Sequence, residues 1–484
     1  MARVVILGAG ISGHTASTLL RKKLGKEHEV IVISPKPNWN WIPSNIWVGV
    51  GLMKKEEVSF PLKPIYDKQK IVFKQGKATK IFPEGDESNS PYVEFEWTTP
   101  EKNGQTEKVT YDFLINATGP KLNFGATEGI GPGKHSYSVC SADHATEASK
   151  ALLECIKKMK SGQKQKFLVG SGHGLCTCQG AAFEYVFNIE YELRRHKVRD
   201  LAEITFLTNE YELGDFGIGG AHFSSGGYNI TSKIFAESLY VERGIRWIKR
   251  AHVQKVENSR AYYETLEGEE SHVDFDFAML LPPFKGQDMQ AFSKSKEDIT
   301  SKLFAPNGFM KVDADYSGKP YEEWKPTDWP KTYQNQDYKN IFAVGIAFAP
   351  PHTISKPMKN PKGTPINPTP PRTGMPSGIM GRVVAESIVD MIKRGKETSP
   401  HSAPFAEMGV ACIASAGASF LNGSAASITM CPIVPDFDQF PTHGRNIKFT
   451  FGEIGLAGHW IKRILHHMFI YKAKCKPGWF FIPE

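Results

Sequence analysis

The feature that most constrains this chain is a glycine-rich turn set between an apolar strand and a helix. Arg3-Val4-Val5-Ile6-Leu7 reads as a fully buried strand, and Gly8-Ala9-Gly10-Ile11-Ser12-Gly13 follows it without a gap. An apolar-periodic helix then runs through Leu20. The glycines permit a tight turn and close backbone approach, while the helix start offers free N–H groups and a positive dipole end to a pyrophosphate. A second strand, Glu29 to Ile33, completes a dinucleotide-binding βαβ unit. It ends at Ser34-Pro35 where an acidic residue usually holds the ribose, so that contact is missing or remodelled.

The remaining length demands more than this unit. At 484 residues the chain exceeds the roughly 250–300 that one hydrophobic core serves, so two domains plus an extra element are expected. With 40% hydrophobic and 23% charged residues it is globular, which excludes global disorder. The sequence contains no uninterrupted apolar run of about 18 residues, so membrane attachment, if there is any, must be peripheral. A formal charge of +8 does not choose between nucleic acid, anionic lipid and anionic substrate. Seven cysteines without paired C-x-x-C spacing argue against a disulfide scaffold or a metal site and leave buried or reactive thiols. No secretory signal is visible at the N-terminus, so the cytoplasm is the expected compartment.

Two later strands close with short signatures of their own. Tyr111 to Asn116 ends in Ala117-Thr118-Gly119-Pro120, and Asn340 to Val344 ends in Gly345-Ile346-Ala347. These resemble the later motifs of flavoproteins with two dinucleotide-binding domains, although Ile346 stands where that group usually has Asp. The resemblance implies an α/β fold with two Rossmann-like domains. FAD would be held by a discontinuous domain, 1–140 and 330–400, with a second domain at 141–329 and a C-terminal region at 401–484. The second domain repeats the turn as Gly170-Ser171-Gly172-His173-Gly174, where pyridine-nucleotide reductases of this group bind NADH. Here Cys176 and Cys178 fill the approach, and a helix start favours the thiolate, so a reactive thiol is preferred over an inert one.

Longer strings make the resemblance specific. Ile42-Pro43-Ser44-Asn45-Ile46-Trp47-Val48-Gly49-Val50-Gly51, Ser138-Val139-Cys140-Ser141-Ala142-Asp143-His144-Ala145, Cys178-Gln179-Gly180-Ala181-Ala182-Phe183-Glu184-Tyr185 and Cys412-Ile413-Ala414-Ser415-Ala416-Gly417 resemble motifs of the sulfide:quinone oxidoreductases. That family implies a redox pair, Cys178 and Cys412, at an FAD. Hydrosulfide attacks their bridge, leaving a persulfide on one cysteine and a thiolate on the other that passes electrons to the flavin. Cys140 is the third family thiol, which in some relatives joins the flavin covalently and in others aids sulfur release. Glu184 and His144 are the implied proton-transfer groups. The implied cofactor contacts are Gly8, Gly10, Ser12, Gly13, Ser34, Asn45, Thr118, Gly119, Pro120, Gly345, Thr373 and Gly374. Where some relatives have a His, this chain reads Gly214-Asp215-Phe216-Gly217. Cys176 leaves a Cys-x-Cys shuttle open, and Cys155, between Leu152, Leu153 and Ile156, reads as core.

The acceptor is inferred from the chain's last segment. From Ile454 to Tyr471, Ala457, Trp460, Ile461, Ile464, Leu465 and Met468 recur at helical spacing, with Lys462, Arg463, His466 and His467 largely opposite. Lys472, Lys474 and Lys476 precede Trp479-Phe480-Phe481-Ile482, a pattern suited to an anionic lipid surface. A core-packing helix has the same periodicity. Docking at a bilayer would give access to a membrane quinone, and Lys448, Phe449 and Phe451 match the family residues that hold its ring. The Pro-rich stretch Ser355 to Thr373 reads as a long connection over the flavin domain, followed by a helix from Gly378 to Ile392. The expected partners are sulfide, a membrane quinone and lipid, with a homo-oligomer and no nucleic acid. The rival reading is a type II NADH:quinone dehydrogenase or a pyridine-nucleotide disulfide reductase.

Overall fold

The computed structural model describes residues 1–87, 90–177, 179–417 and 419–484; Cys178 lies outside the described residues. The opening apolar run forms β1 (Arg3–Leu7), followed by α1 (Ile11–Lys23) and β2 (Glu29–Ile33). β1 pairs in parallel with β2, placing Val4 beside Val30 and Leu7 beside Ile33. With β3 (Val72–Lys74), β4 (Phe113–Asn116) and the returning strand Ile341–Ala343 they make a five-stranded parallel sheet. Parallel strands need helical crossovers on their faces, which is why β1, β2 and β4 are apolar without alternation. One segment from near residue 341 thus joins a sheet otherwise built from the first 116 residues.

The second sheet repeats the plan. After α2 (Ala142–Lys160), whose start is capped by Ser141, come β5 (Gln165–Ser171) and α3 (Gln179–Arg195). β5 lies between β6 (Ala202–Leu207) and the strand Phe277–Leu281, and Arg246–Ile248 completes the edge, all in parallel. The chain then returns to the first sheet and enters α4 (Gly374–Arg394), one turn longer at its start than the spacing suggested. α4 packs on α1 at small residues: a Cβ on Gly381 would overlap the Ser12 carbonyl oxygen.

The C-terminal region builds a third sheet from β7 (Val410–Ala416), β8 (Ser424–Met430) and β9 (Phe451–Gly455), then the helix α5 (Leu456–Ala473). This sheet also takes the hairpin His222–Ser225 and Tyr228–Thr231, so a piece of the second-domain range is structurally part of the C-terminal layer. β7 is an edge strand, pairing only with β8 within the sheet. Among the described residues no helix is long and apolar enough to cross a membrane.

A buried acidic cluster holds the loop after β6. Asp215 accepts the N–H groups of Gly217 and Gly219 and the Ser355 hydroxyl, tying that loop to the Pro-rich segment. Glu210 accepts the Phe216 N–H at 2.8 Å and the Thr208 hydroxyl at 2.8 Å. Burial, reinforced by neighbouring Asp215, pushes the Glu210 carboxyl up to about 8. Its folded value lies above its unfolded one, so the native state binds the extra proton and stability from this group is lost as pH rises through that value. The melting temperature of the parent is expected to fall between about pH 6 and about pH 9 more steeply than that of Glu210→Gln, as read by thermal denaturation across pH. Parallel slopes would remove Glu210 from the pH response.

Candidate active site

Three passes of the chain meet at the start of α1. Gly8 has φ +98°, and a Cβ there would lie 2.3 Å from the Ala117 carbonyl oxygen. Gly13 presses on the Gly8 carbonyl, and a Cβ on Gly345 would meet Ser12 Oγ at 2.4 Å. Gly10 and Gly119, by contrast, face space with nothing within 4 Å of an added Cβ. The packed glycines bring the backbones together, and the open ones leave room at the α1 N-terminus for a diphosphate. Thr118 is fixed by its hydroxyl on Asn116 Oδ1 at 2.7 Å, next to Gly119 and Pro120. Ser34 is buried at the end of β2, its N–H on the Lys74 carbonyl. Thr373 and Gly374 begin α4, where Gly374 lies against the Ile11 side chain. These groups fit a dinucleotide such as FAD, whose isoalloxazine, when bound, accepts two electrons and passes them on.

A second constellation lies where α3 crosses the open edge of β7. The Cys412 thiol rests on the first turn of α3, with Sγ 3.0 Å from where a Cβ on Gly180 would lie. Gly180 follows Cys178 by two residues. Glu184 is four residues further along the same helix face, one turn away. It is buried, accepts the Ser415 N–H at 3.2 Å and pairs with Lys462 of α5. Asn188, another turn on, donates to the Ser415 carbonyl at 2.8 Å and accepts the Gly417 N–H at 3.3 Å. Lys462 Nζ also donates to the Ile413 carbonyl at 3.1 Å. Burial raises the Glu184 carboxyl from its ordinary value, opposed by the Lys462 ammonium and the Ser415 N–H. Removing one partner of such a buried pair costs about 3–5 kcal/mol.

On the other face of β7 lies a cavity of about 300 Å³. Ala411 and Ile413, flanking Cys412, line it together with Ile11 and Gly374, and Lys462 reaches its wall. Its far end is aromatic, with Trp41 stacked on Phe469 at 4.9 Å between ring centres.

A search against protein-family models finds no match. In sequence the chain is 29% identical over 472 residues to the sulfide-quinone reductase of Aquifex aeolicus, covering 97% of this chain and 91% of that protein. The mitochondrial sulfide:quinone oxidoreductase of Dictyostelium discoideum is 21% identical over 350 residues, 71% of this chain and 65% of that one. Among solved structures, the Aquifex aeolicus sulfide:quinone oxidoreductase superposes with a TM-score of 0.76 at 28% identity, covering 98% and 92% of the two chains. Over nearly its whole length the chain is thus similar to sulfide:quinone oxidoreductases. An NDH2 structure from Plasmodium falciparum in complex with NADH shares the fold, with a TM-score of 0.63 at 13% identity over 99% and 97% of the chains.

The remaining residues of the sequence reading take the following positions. Asn45 is fully buried and donates to the Val139 carbonyl at 3.2 Å, so it shapes the approach to Cys140. Cys140 is partly exposed just before α2, its N–H on Ser138 Oγ. His144 lies in the first turn of α2, half-buried against Phe124, and its buried Nδ1 has no hydrogen-bond partner among the described residues. Burial lowers its pKa. Lys448, Phe449 and Phe451 do not line the cavity; Phe449 and Phe451 are exposed at the β8–β9 end of the third sheet, because that sheet turns this segment outward. Cys176 is fully buried and its thiol donates to the Leu281 carbonyl at 3.0 Å. Cys155 is in the core, its thiol pushed up by burial to about 11.

The spacing placed Lys462 on the polar side of the last helix without a role at the site, and it did not single out His459 or Asn188. His459, Lys462 and His466 occupy one face of α5 at i, i+3 and i+7, and that face is turned inward. His459 meets Ser415 Oγ at 2.6 Å and His466 meets Ser44 Oγ at 2.9 Å. The apolar residues Trp460, Ile461 and Ile464 face out instead. Lys462 and His466, placed by the spacing on the polar side of this helix, are thus turned inward and buried, each with a partner, while these apolar residues are left outside. Gly8→Ala is expected to strain the turn, costing more than about 1 kcal/mol from the backbone alone before the clash with Ala117 is counted. Purified Gly8→Ala should melt lower and retain much less flavin absorbance than the parent; full flavin retention would show that the turn is not part of the cofactor cradle.

Proposed function

We propose that this chain oxidises sulfide and delivers the electrons to a membrane quinone, with FAD on the α1 cradle between the two substrates. The observation that carries the reading is the two-sidedness of β7. One side chain of this strand, Cys412, rests on the start of α3 at Gly180, while its neighbours Ala411 and Ile413 wall an apolar cavity. Sulfur held on the α3 side and a quinone ring in the cavity would then lie on opposite faces of one strand, close to the Ile11 and Gly374 end of the cradle. Cys178 and Cys412 are proposed as the pair that takes the sulfur. Hydrosulfide breaks their S–S bond and forms a new one, giving a persulfide and a thiolate. Glu184, one turn along α3, accepts the hydrosulfide proton.

The rival NADH reading is opposed by the second glycine turn. The chain's own Pro-rich segment lies across it: the Asn367 N–H bonds the Gly174 carbonyl at 2.9 Å and the Thr369 N–H bonds the Cys176 carbonyl at 3.1 Å. The Thr177 hydroxyl donates to the Pro370 carbonyl at 3.4 Å. A dinucleotide on this turn would have to displace that segment.

The outward face of α5 is proposed to dock on lipid. Trp460, Ile461 and Ile464 form an exposed apolar stripe with Phe420, which stacks on Trp460 at 5.3 Å, and Leu421 and Phe481 continue it. A soluble surface rarely leaves such residues contiguous. The aromatic end of the cavity lies under this helix, so a quinone could enter from the bilayer without crossing water.

Three outcomes are expected. Anaerobic sulfide should bleach the bound flavin of the parent and NADH should not; bleaching by NADH alone would reject the reading. In Cys412→Ser the sulfide-driven bleaching should fall by at least about 100-fold while flavin stays bound. For the docking surface, Ile461→Glu with Ile464→Glu changes only exposed positions and should abolish co-sedimentation with anionic phospholipid vesicles, a step worth several kcal/mol of buried apolar area. Unchanged sedimentation would show that this face meets something other than lipid.

A further inference from the structure

The geometry points to Lys462 as the proton-transfer residue that carries the hydrosulfide proton from Glu184 to the quinone in the cavity behind β7. This rests on the function proposed above and adds a route that it lacks. Oxidation of hydrosulfide releases its proton on the α3 side of the strand, and reduction of a quinone consumes two protons on the cavity side. Between these two places stand the Glu184 carboxyl and the Lys462 ammonium, both buried.

Lys462 joins the two places in a single side chain. Its Nζ pairs with Glu184 and donates to the Ile413 carbonyl at 3.1 Å, and the same residue lines the cavity. Glu184 is one turn along α3 from Gly180, where the Cys412 thiol rests. The ammonium also sits 5.5 Å from the centre of the Trp47 ring, which holds it without offering another proton acceptor. The groups facing Glu184 are few. From β7 comes the Ser415 N–H, and from α5 come Lys462 and, through Ser415 Oγ, His459. From α3 itself Asn188 bonds the Glu184 main-chain carbonyl at 2.9 Å. Burial raises the Glu184 carboxyl, which helps it to hold the proton in transit. No second carboxylate is among these groups, so the pair is a donor and an acceptor rather than a charge cluster.

The step balances. Hydrosulfide gives its sulfur to the cysteine pair, its proton to the Glu184 carboxylate and two electrons to the quinone. The reduced quinone takes one proton from the Lys462 ammonium, and neutral Lys462 is recharged by the Glu184 carboxyl. A second proton comes from bulk water, so hydrosulfide, quinone and one proton become bound zero-valent sulfur and quinol.

An arginine at this position would keep the positive charge and the pairing but cannot release a proton at accessible pH. The test therefore compares Lys462→Arg, Lys462→Gln and the neutral double variant Glu184→Gln with Lys462→Met, with thermal melts to verify that each is folded. Holoprotein reduced with dithionite is mixed with decylubiquinone, and flavin reoxidation is followed across pH in water and in deuterium oxide. All three variants are expected to reoxidise about 100-fold more slowly than the parent and to lose its pH dependence. Sulfide-driven bleaching of Lys462→Arg should slow far less than its reoxidation does. Parental reoxidation in Lys462→Arg or in the double variant would overturn the proposal, the first by showing that only a fixed cation is required. Because dithionite supplies the electrons, a parent that sulfide fails to bleach would defeat the proposed substrate while leaving this measurement readable.

Discussion

The open edge of β7 organises the functional half of the molecule. In an antiparallel strand the N–H and C=O of alternate residues point to the same side. Residues 413, 415 and 417 turn theirs away from β8, where no further strand follows. Buried main-chain groups left unpaired there would be costly. Glu184 and Asn188 from α3 and Lys462 from α5 satisfy the Ile413 carbonyl, both groups of Ser415 and the Gly417 N–H. A helix and a lysine thus replace the missing strand. In doing so they hold the thiol-bearing strand against the start of α3 and place an ion pair at the seam between two chemical compartments.

The same seam explains the inverted polarity of α5. A helix packed on the outside of a globular protein normally turns its apolar stripe inward. Here the inward positions face polar obligations: the β7 edge, Ser415, Ser44 and the C-terminal Glu484, which pairs with Lys472. His459, Lys462, His466 and Lys472 answer them, and Trp460, Ile461 and Ile464 are left to the exterior. That arrangement is unfavourable in water, which is the ground for the lipid docking proposed for this face.

Much of the nucleotide half was legible because its determinants are local. The run Val4–Leu7, the glycines at 8, 10 and 13 and the following helix each express their constraint within a few residues, and the chain has few ways to satisfy them. The long-range parts were harder. Asn45 sits in a recognisable string and exchanges hydrogen bonds with nearby Asn40, yet it also donates to the Val139 carbonyl, which is far along the chain. Lys448, Phe449 and Phe451 read well as a motif, and the orientation of the third sheet turns Phe449 and Phe451 outward while Trp41 and Phe469 fill the cavity end. Cys176 sits beside Cys178 in a motif that suggests chemistry, and the Leu281 carbonyl from another strand accepts its thiol in the core.

By itself the sequence determined the α/β class, the dinucleotide turn, the presence of thiols beside helix starts and the amphipathic spacing of the last helix. Each of these is a property of neighbours in the chain, set by steric limits and by hydrophobic period. Only the tertiary structure decided that the Pro-rich segment closes the second glycine turn, that Cys412 lies against α3, and which side of α5 faces in. These depend on where separate segments leave backbone groups unsatisfied, and periodicity reports the contrast between two helix faces without reporting which of them the rest of the protein needs.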